Sequence, residues 1–122
     1  VSAGAWLSAG VSLADGIAAM PGAVVNAGSV VGRDVIVNTN ASVDHDCVLG
    51  AGCHIGPGCA LAGNVRVGEG AFLGTGARVI PGVRVGCRSV IGAGAVLIGD
   101  VPDDCLAVGV PARVVKSGSG RE

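Results

Sequence analysis

Aromatic side chains are almost missing from this sequence. Its 122 residues include one Trp, one Phe and no Tyr, so a core built around aromatic rings is not expected. Charge is sparse too, and the formal net charge is −1. A broad nucleic-acid-binding surface needs a surplus of Lys and Arg, so we expect no nucleic-acid partner.

Long apolar runs and export signals are also missing. No run of about 18 uninterrupted apolar residues could span a membrane, and no basic segment followed by an apolar block marks a signal peptide. The five cysteines are odd in number and lack paired metal-ligand spacing, which favours reduced thiols. We therefore expect a cytoplasmic protein without a membrane partner. Val at position 1 suggests a piece of a longer chain.

What the sequence does contain is a six-residue repeat. When the chain is divided every six residues from Val1, the first residue of all seventeen hexads is aliphatic, and the fifth is small or aliphatic. The fourth is Gly, Asn or Asp in every hexad except the one with Arg88. Because these three residue types tolerate a left-handed backbone, the pattern predicts a turn every six residues.

A short strand followed by a turn must coil when it is repeated, and three hexads close a triangle. The sequence thus predicts an all-β fold, a parallel β-helix of triangular section with about six coils. The repeat ends near Pro102. We expect a β-helix domain over residues 1–102 and a C-terminal capping segment and tail over 103–122. A loop with a short strand or helix would cover the last coil, and the terminal "GSGRE" is expected to be disordered.

Polar residues concentrate in "VNTNASVDHDCVLGAGCHIG", residues 37–56, which holds both histidines. The aliphatic first positions of the hexads should fill the interior. His45 is the third residue of its hexad, so it should point outward, with Gly63 one coil above. A base beside an unobstructed backbone N–H suits acyl transfer, since the N–H can bind the oxyanion. Asp46 could hold the imidazole tautomer. A solvated surface histidine with capping aspartates fits the position equally well.

The run "NTNASVDHDCVLGAGCHIGPGCALAGNVRVGEGAFLGTGARVIPGVRVG" and the later "VGVPARVV" resemble one family of sugar acetyltransferases. This family includes sialic acid O-acetyltransferases and N-acetyltransferases of UDP-4-amino sugars. The resemblance implies the left-handed coil of hexapeptide-repeat acyltransferases and acetyl-CoA as co-substrate. It also implies roles for five residues: His45 as general base with Asp46 as its partner, Gly63 as an oxyanion-hole amide, and Asn38 and His54 lining the substrate and acetyl-CoA site.

Other candidate residues are less specific. His54 follows His45 by half a coil, so the two should share a site only across neighbouring prisms of a homotrimer; His54 could equally pack an intersubunit seam. Arg66, Arg84 and Arg113 are candidates for the coenzyme phosphates, with solvated side chains as the alternative. Three cysteines at inward fifth positions should be apolar fillers that bind no metal, and these are Cys47, Cys53 and Cys59.

The predicted function is acetyl transfer from acetyl-CoA to an amino or hydroxyl group of a sugar or nucleotide sugar. Another acyltransferase, acting on serine or a lipid-sugar precursor, is the main alternative. A carbonic anhydrase would need three His ligands around zinc, and this chain has two histidines, His45 and His54. A structural or ice-binding solenoid would need regular outward ladders, whereas third positions such as Ala27, Arg33 and Thr39 are irregular. The N-terminal α/β domain usual in the resembled family is not in this sequence.

Overall fold

The computed structural model describes residues 1–118, in which the chain forms eighteen β-strands. The first sixteen are two residues long and recur every six residues. Residues 119–122, most of the predicted disordered tail, lie outside the described residues. The strands are β1 (Trp6–Leu7), β2 (Ser12–Leu13), β3 (Ala18–Ala19), β4 (Val24–Val25), β5 (Val30–Val31), β6 (Ile36–Val37), β7 (Ser42–Val43), β8 (Val48–Leu49), β9 (His54–Ile55), β10 (Ala60–Leu61), β11 (Arg66–Val67), β12 (Phe72–Leu73), β13 (Arg78–Val79), β14 (Arg84–Val85), β15 (Val90–Ile91), β16 (Val96–Leu97), β17 (Cys105–Val108) and β18 (Arg113–Ser117).

These strands form the three walls of a prism. Sheet 1 has the order β1-β4-β7-β10-β13-β16, sheet 2 the order β14-β11-β8-β5-β2, and sheet 3 the order β18-β17-β15-β12-β9-β6-β3. Within the repeat each strand pairs in parallel with the strand three hexads later, as Val43 does with Leu61. One coil therefore takes three hexads, and the predicted β-solenoid of about six coils is confirmed. No helix that could cross a membrane occurs among residues 1–118.

The turns lie where the fourth hexad residue predicts them. From Gly10 to Gly94 the residue at the fourth position of every hexad has a positive φ. The set includes Asp46 at 57° and Arg88 at 58°. The left-handed conformation turns the chain from one wall of the prism to the next at each corner, and Asp and Asn adopt it at smaller steric cost than other side chains. Arg88 is the one residue at these positions that is not Gly, Asn or Asp, and it adopts the same conformation.

The interior consists of the first and fifth hexad positions, as predicted. Every first-position residue from Ala19 to Leu97 is buried, and so is every fifth-position residue from Ala23 to Val101. Cys47, Cys53 and Cys59 are among them and are free thiols. The Cys47 Sγ donates to the Ala62 carbonyl at 3.2 Å.

A β-hairpin covers the last coil. β17 pairs in parallel with β15, and the chain then returns as the antiparallel strand β18. Arg88 anchors the hairpin, since its Nε and Nη2 donate to the Asp104 carboxylate at 2.8 and 3.1 Å. Of the short strand or helix expected for this segment, the strand is present, and it pairs with a second strand. The domain boundary at residue 102 stays a prediction.

Candidate active site

His45 lies in the turn between β7 and β8, at the corner where sheets 1 and 2 meet. Asp44 fixes the start of this turn, because its Oδ1 accepts the His45 N–H at 2.8 Å. Such local bonds from Asp to the backbone are typical of turns. Asp46 follows in the left-handed conformation. The imidazole is thus held on an outer corner with 55 % of its side chain exposed, as the hexad position predicts.

The imidazole tautomer is set by Asp46. His45 Nδ1 lies 3.1 Å from Asp46 Oδ2. Because an ionised carboxylate only accepts hydrogen bonds, Nδ1 carries the proton and Nε2 keeps its lone pair. The Asp46 carboxylate itself lies directly over the α-carbon of Gly28, where a Cβ would overlap its Oδ1. Gly28 therefore makes the room that lets Asp46 reach the ring.

Gly63 lies against the other side of the ring. A Cβ built on Gly63 would be 2.5 Å from His45 Nε2 and 2.7 Å from Cε1, so only glycine admits the imidazole here. No hydrogen bond to the Gly63 N–H occurs within residues 1–118. The structure thus brings His45, Asp46 and Gly63 together: Nε2 lies against the α-carbon of a glycine whose backbone N–H has no hydrogen-bond partner within residues 1–118. This arrangement can activate a nucleophile and bind an oxyanion.

A groove of about 440 Å³ lies on sheet 1 beside this corner. Its lining includes the small residues Ala60 and Ala62, with Asp44 one coil below Ala62 and Ile80 one coil above, and the charged side chain of Arg78. Asp44 Oδ1 also accepts a long hydrogen bond, 3.4 Å, from Asn26 Nδ2. Through Asp44, the residue before His45, the groove borders the turn that carries the imidazole. The sequence alone did not reveal it, because it depends on which outward residues are short.

Asn38 and His54 form a second polar pair, on sheet 3. Asn38 Nδ2 lies 3.1 Å from His54 Nε2, so Nε2 accepts and the His54 proton is on Nδ1. The edge of Phe72 packs on the His54 ring, with centroids 4.8 Å apart and an interplanar angle of 81°. Sheet 3 is the wall opposite the corner of His45. Within one chain the two histidines therefore do not share a site.

The three arginines predicted for the coenzyme phosphates do not converge. Arg66 and Arg84 are neighbours on sheet 2, whereas Arg113 begins β18 on sheet 3. The Arg84 Nη2 lies 3.5 Å from Asp103 Oδ1, which leaves this guanidinium partly neutralised. Among residues 1–118, no group of three or more His, Cys, Asp or Glu side chains could hold a metal ion.

The family described as bacterial transferase hexapeptide (six repeats) matches residues 28–63, which include His45 and Gly63. No curated protein matches the chain.

Several solved structures are similar to it. PerB from Caulobacter crescentus, in complex with CoA and GDP-perosamine, is 53 % identical with a TM-score of 0.93 over 95 % of this chain and 56 % of its own. The acetyltransferase domain of PglB from Neisseria gonorrhoeae, in complex with acetyl coenzyme A, is 44 % identical with a TM-score of 0.89 over 93 % and 55 %. WeeI from Acinetobacter baumannii is 26 % identical with a TM-score of 0.82 over 93 % and 56 %.

The chain therefore spans a little over half the length of these relatives. The predicted resemblance to sugar acetyltransferases is confirmed.

Proposed function

We propose that this chain, a hexapeptide-repeat protein, moves an acetyl group from acetyl-CoA to an amino or hydroxyl group of a sugar or nucleotide sugar. The observation that carries the proposal is the contact of the His45 ring, held by Asp46 at Nδ1, with Gly63, whose backbone N–H has no partner within residues 1–118. The similarity to PerB and to the PglB domain, solved with CoA, GDP-perosamine or acetyl coenzyme A, supports the choice of substrates.

In the proposed reaction the acceptor attacks the thioester carbonyl directly. His45 Nε2 takes the proton from the attacking nitrogen or oxygen as the new C–N or C–O bond forms. The Gly63 N–H binds the oxygen of the tetrahedral intermediate. The C–S bond then breaks, and the imidazolium returns the proton to the departing sulfur of CoA. Asp46 stabilises the charged imidazole between these two transfers, through its bond to Nδ1.

The groove beside Asp44 is the proposed position of the acceptor. Asp44 lines it immediately before His45 in the chain, and no hydrogen bond to its Oδ2 occurs within residues 1–118. A carboxylate oxygen with spare capacity can accept from an ammonium or a sugar hydroxyl. Asp44→Asn should therefore raise KM for the acceptor and leave acetyl-CoA binding nearly unchanged.

A homotrimer in the cytoplasm is the proposed setting. His54, Asn38 and the exposed Phe72 lie on sheet 3, away from His45. A neighbouring chain could bring such a surface to the His45 corner, and Arg66, Arg84 and Arg113 remain the candidates for coenzyme phosphates. Light scattering should give three times the chain mass. A stable monomer with full activity would contradict the trimer.

The decisive test is release of free thiol from acetyl-CoA, screened over amino sugars, nucleotide sugars, neutral sugars and serine. His45→Ala should lower kcat by roughly 10²–10⁴-fold because the general base is lost. The acetyl-CoA Kd should change by less than about twofold, since the imidazole acts mainly in the transition state. Arg33→Ala, an exposed third-position residue away from this corner, is the control. Thiol release that His45→Ala leaves intact would assign the base elsewhere.

A further inference from the structure

The turn that carries His45 is closed in an unusual way. Many corners of the prism close with a direct hydrogen bond from the fifth-position N–H to the second-position carbonyl, as from Cys53 to Gly50 at 3.2 Å. In the turn from Asp44 to Cys47 a hydroxyl takes over this connection. The Cys47 N–H donates to Ser29 Oγ at 3.1 Å, and Ser29 Oγ donates to the Asp44 carbonyl at 2.9 Å.

Ser29 is completely buried one coil below Cys47. Its hydroxyl donates a hydrogen bond to the first residue of the four-residue turn that contains His45 and accepts one from the last residue. If the hydroxyl is removed, the Cys47 N–H and the Asp44 carbonyl lose their shared partner in the interior. An unpaired buried group is unfavourable, so the turn should contract toward the directly bonded form seen between Cys53 and Gly50.

We propose that Ser29 is a positioning residue for His45. By bridging Asp44 and Cys47, its hydroxyl keeps the turn at the width that places the imidazole against Gly63. The ring has little tolerance there, because Gly63 is already the smallest residue and Asp46 holds the opposite ring nitrogen. A displacement of about 1 Å in a catalytic group can reduce the rate by about a hundredfold. The kinetic part of this inference rests on the proposed function.

The chain contains a matched control for this bridge. Ser89 is likewise completely buried at a fifth position. It accepts the Cys105 N–H at 3.1 Å and donates to the Pro102 carbonyl. The two serines therefore make the same pair of bonds, one at the His45 turn and the other at the turn into the cap. Substitutions of Ser89 report the loss of a buried bridge without any displacement of His45.

The experiment compares Ser29→Ala, Ser29→Val, Ser29→Thr and Ser89→Ala. Thr and Val have nearly the same shape and differ in the hydroxyl, and Val already occupies the same stack at Val65. Ser29→Ala and Ser29→Val should lower kcat by roughly ten- to a hundredfold, with acetyl-CoA affinity unchanged. Ser29→Thr should stay within about threefold of wild type. Ser89→Ala should lower Tm and leave kcat near wild type.

A second measurement does not depend on activity. The ¹⁵N NMR signals of the His45 ring report its tautomer and its bond to Asp46. They should shift in Ser29→Ala and Ser29→Val and match wild type in Ser29→Thr and Ser89→Ala. If no acceptor is ever acetylated, the proposed function fails while these signals still test the positioning role. Wild-type kcat or unshifted ring signals in Ser29→Ala, or an equal kcat loss in Ser89→Ala, would overturn it.

Discussion

At the scale of single residues, the reach of His45 is decided by the absence of a side chain at Gly63. Gly63→Ala adds a Cβ 2.5 Å from Nε2, so the ring must move away from residue 63. We expect kcat to fall by about ten- to a hundredfold, because the base and the oxyanion donor no longer face the same point. The measurement is steady-state kinetics, with circular dichroism to confirm the fold.

Gly99→Ala is the control for this change. Gly99 is in the same stack two coils above, and a Cβ there would meet no atom within 4 Å. It should keep wild-type kcat. A Gly63→Ala enzyme with wild-type kcat would show that the imidazole need not lie against this glycine during catalysis.

The cluster of His45, Asp46 and Gly63 could be predicted because only the eighteen-residue register is needed to place it. The roles of Ser29 and Gly28 were missed, because the repeat by itself already explains both residue types at their positions. The repeat requires a small residue at fifth positions and a turn residue at fourth positions, so serine and glycine there look like routine fillers. The available signal for Ser29 was a hydroxyl at a buried position that is otherwise occupied by small or aliphatic residues. Because buried polar groups are hydrogen-bonded, this hydroxyl could have been expected to bond to a neighbouring turn.

At the scale of one turn, Arg88 combines a strained backbone with an ion pair. Its φ is 58°, whereas the matching residue one coil below is Gly70. Arg88→Ala keeps the left-handed backbone strain and loses the bonds to Asp104. Arg88→Gly loses the same bonds and relieves the strain. We expect the alanine variant to unfold with a free energy about 1 kcal/mol lower than the glycine variant.

Urea denaturation of the two variants beside wild type would measure this difference. The ion pair itself is solvent-exposed, so its own contribution to stability should be small. Equal stability of the alanine and glycine variants would mean that the backbone at residue 88 changes conformation when the arginine is removed.

Among the elements, the sixteen short strands were predictable and the cap was only partly so. Every hexad supplies the same three constraints, which are an inward aliphatic residue, a left-handed turn and a small inward residue. An ambiguous assignment at one hexad is therefore resolved by the register of the hexads on either side. The segment after Pro102 has no such repetition. Its hairpin depends on long-range contacts, namely pairing of β17 with β15 and the bonds of Asp103 and Asp104 to residues of the previous coil.

At the scale of the whole molecule, stability comes from coils that pack only on their neighbours. Three thiols lie inside this stack, at consecutive corners. Burial raises the pKa of Cys53 to about 12 and also raises the pKa values of Cys47 and Cys59. The folded protein therefore keeps these protons at a pH where the unfolded chain releases them. Thiolate reagents should label all three slowly in the folded state.

This difference predicts a loss of stability in alkali. In the unfolded chain a thiol ionises near pH 8.5, so below that pH both states hold the proton and the full stability is present. Above it the unfolded state binds fewer protons than the folded state. The free energy of unfolding should then fall with rising pH until the folded thiol ionises, which for Cys53 extends the window to about pH 12. Within this window the Cys53 thiol contributes a slope that approaches about 1.4 kcal/mol per pH unit.

Urea denaturation at pH 7.5, 9 and 10.5 tests this, with the pH values chosen around the ~8.5 of a free thiol. Cys53→Ala should be less stable than wild type at pH 7.5, because it loses packed volume, and should approach wild type as the pH rises. Cys87→Ala removes a partly exposed thiol and should follow the wild-type pH dependence. If Cys53→Ala and wild type lose stability in parallel from pH 7.5 to 10.5, ionisation of the Cys53 thiol does not drive alkaline unfolding of the prism.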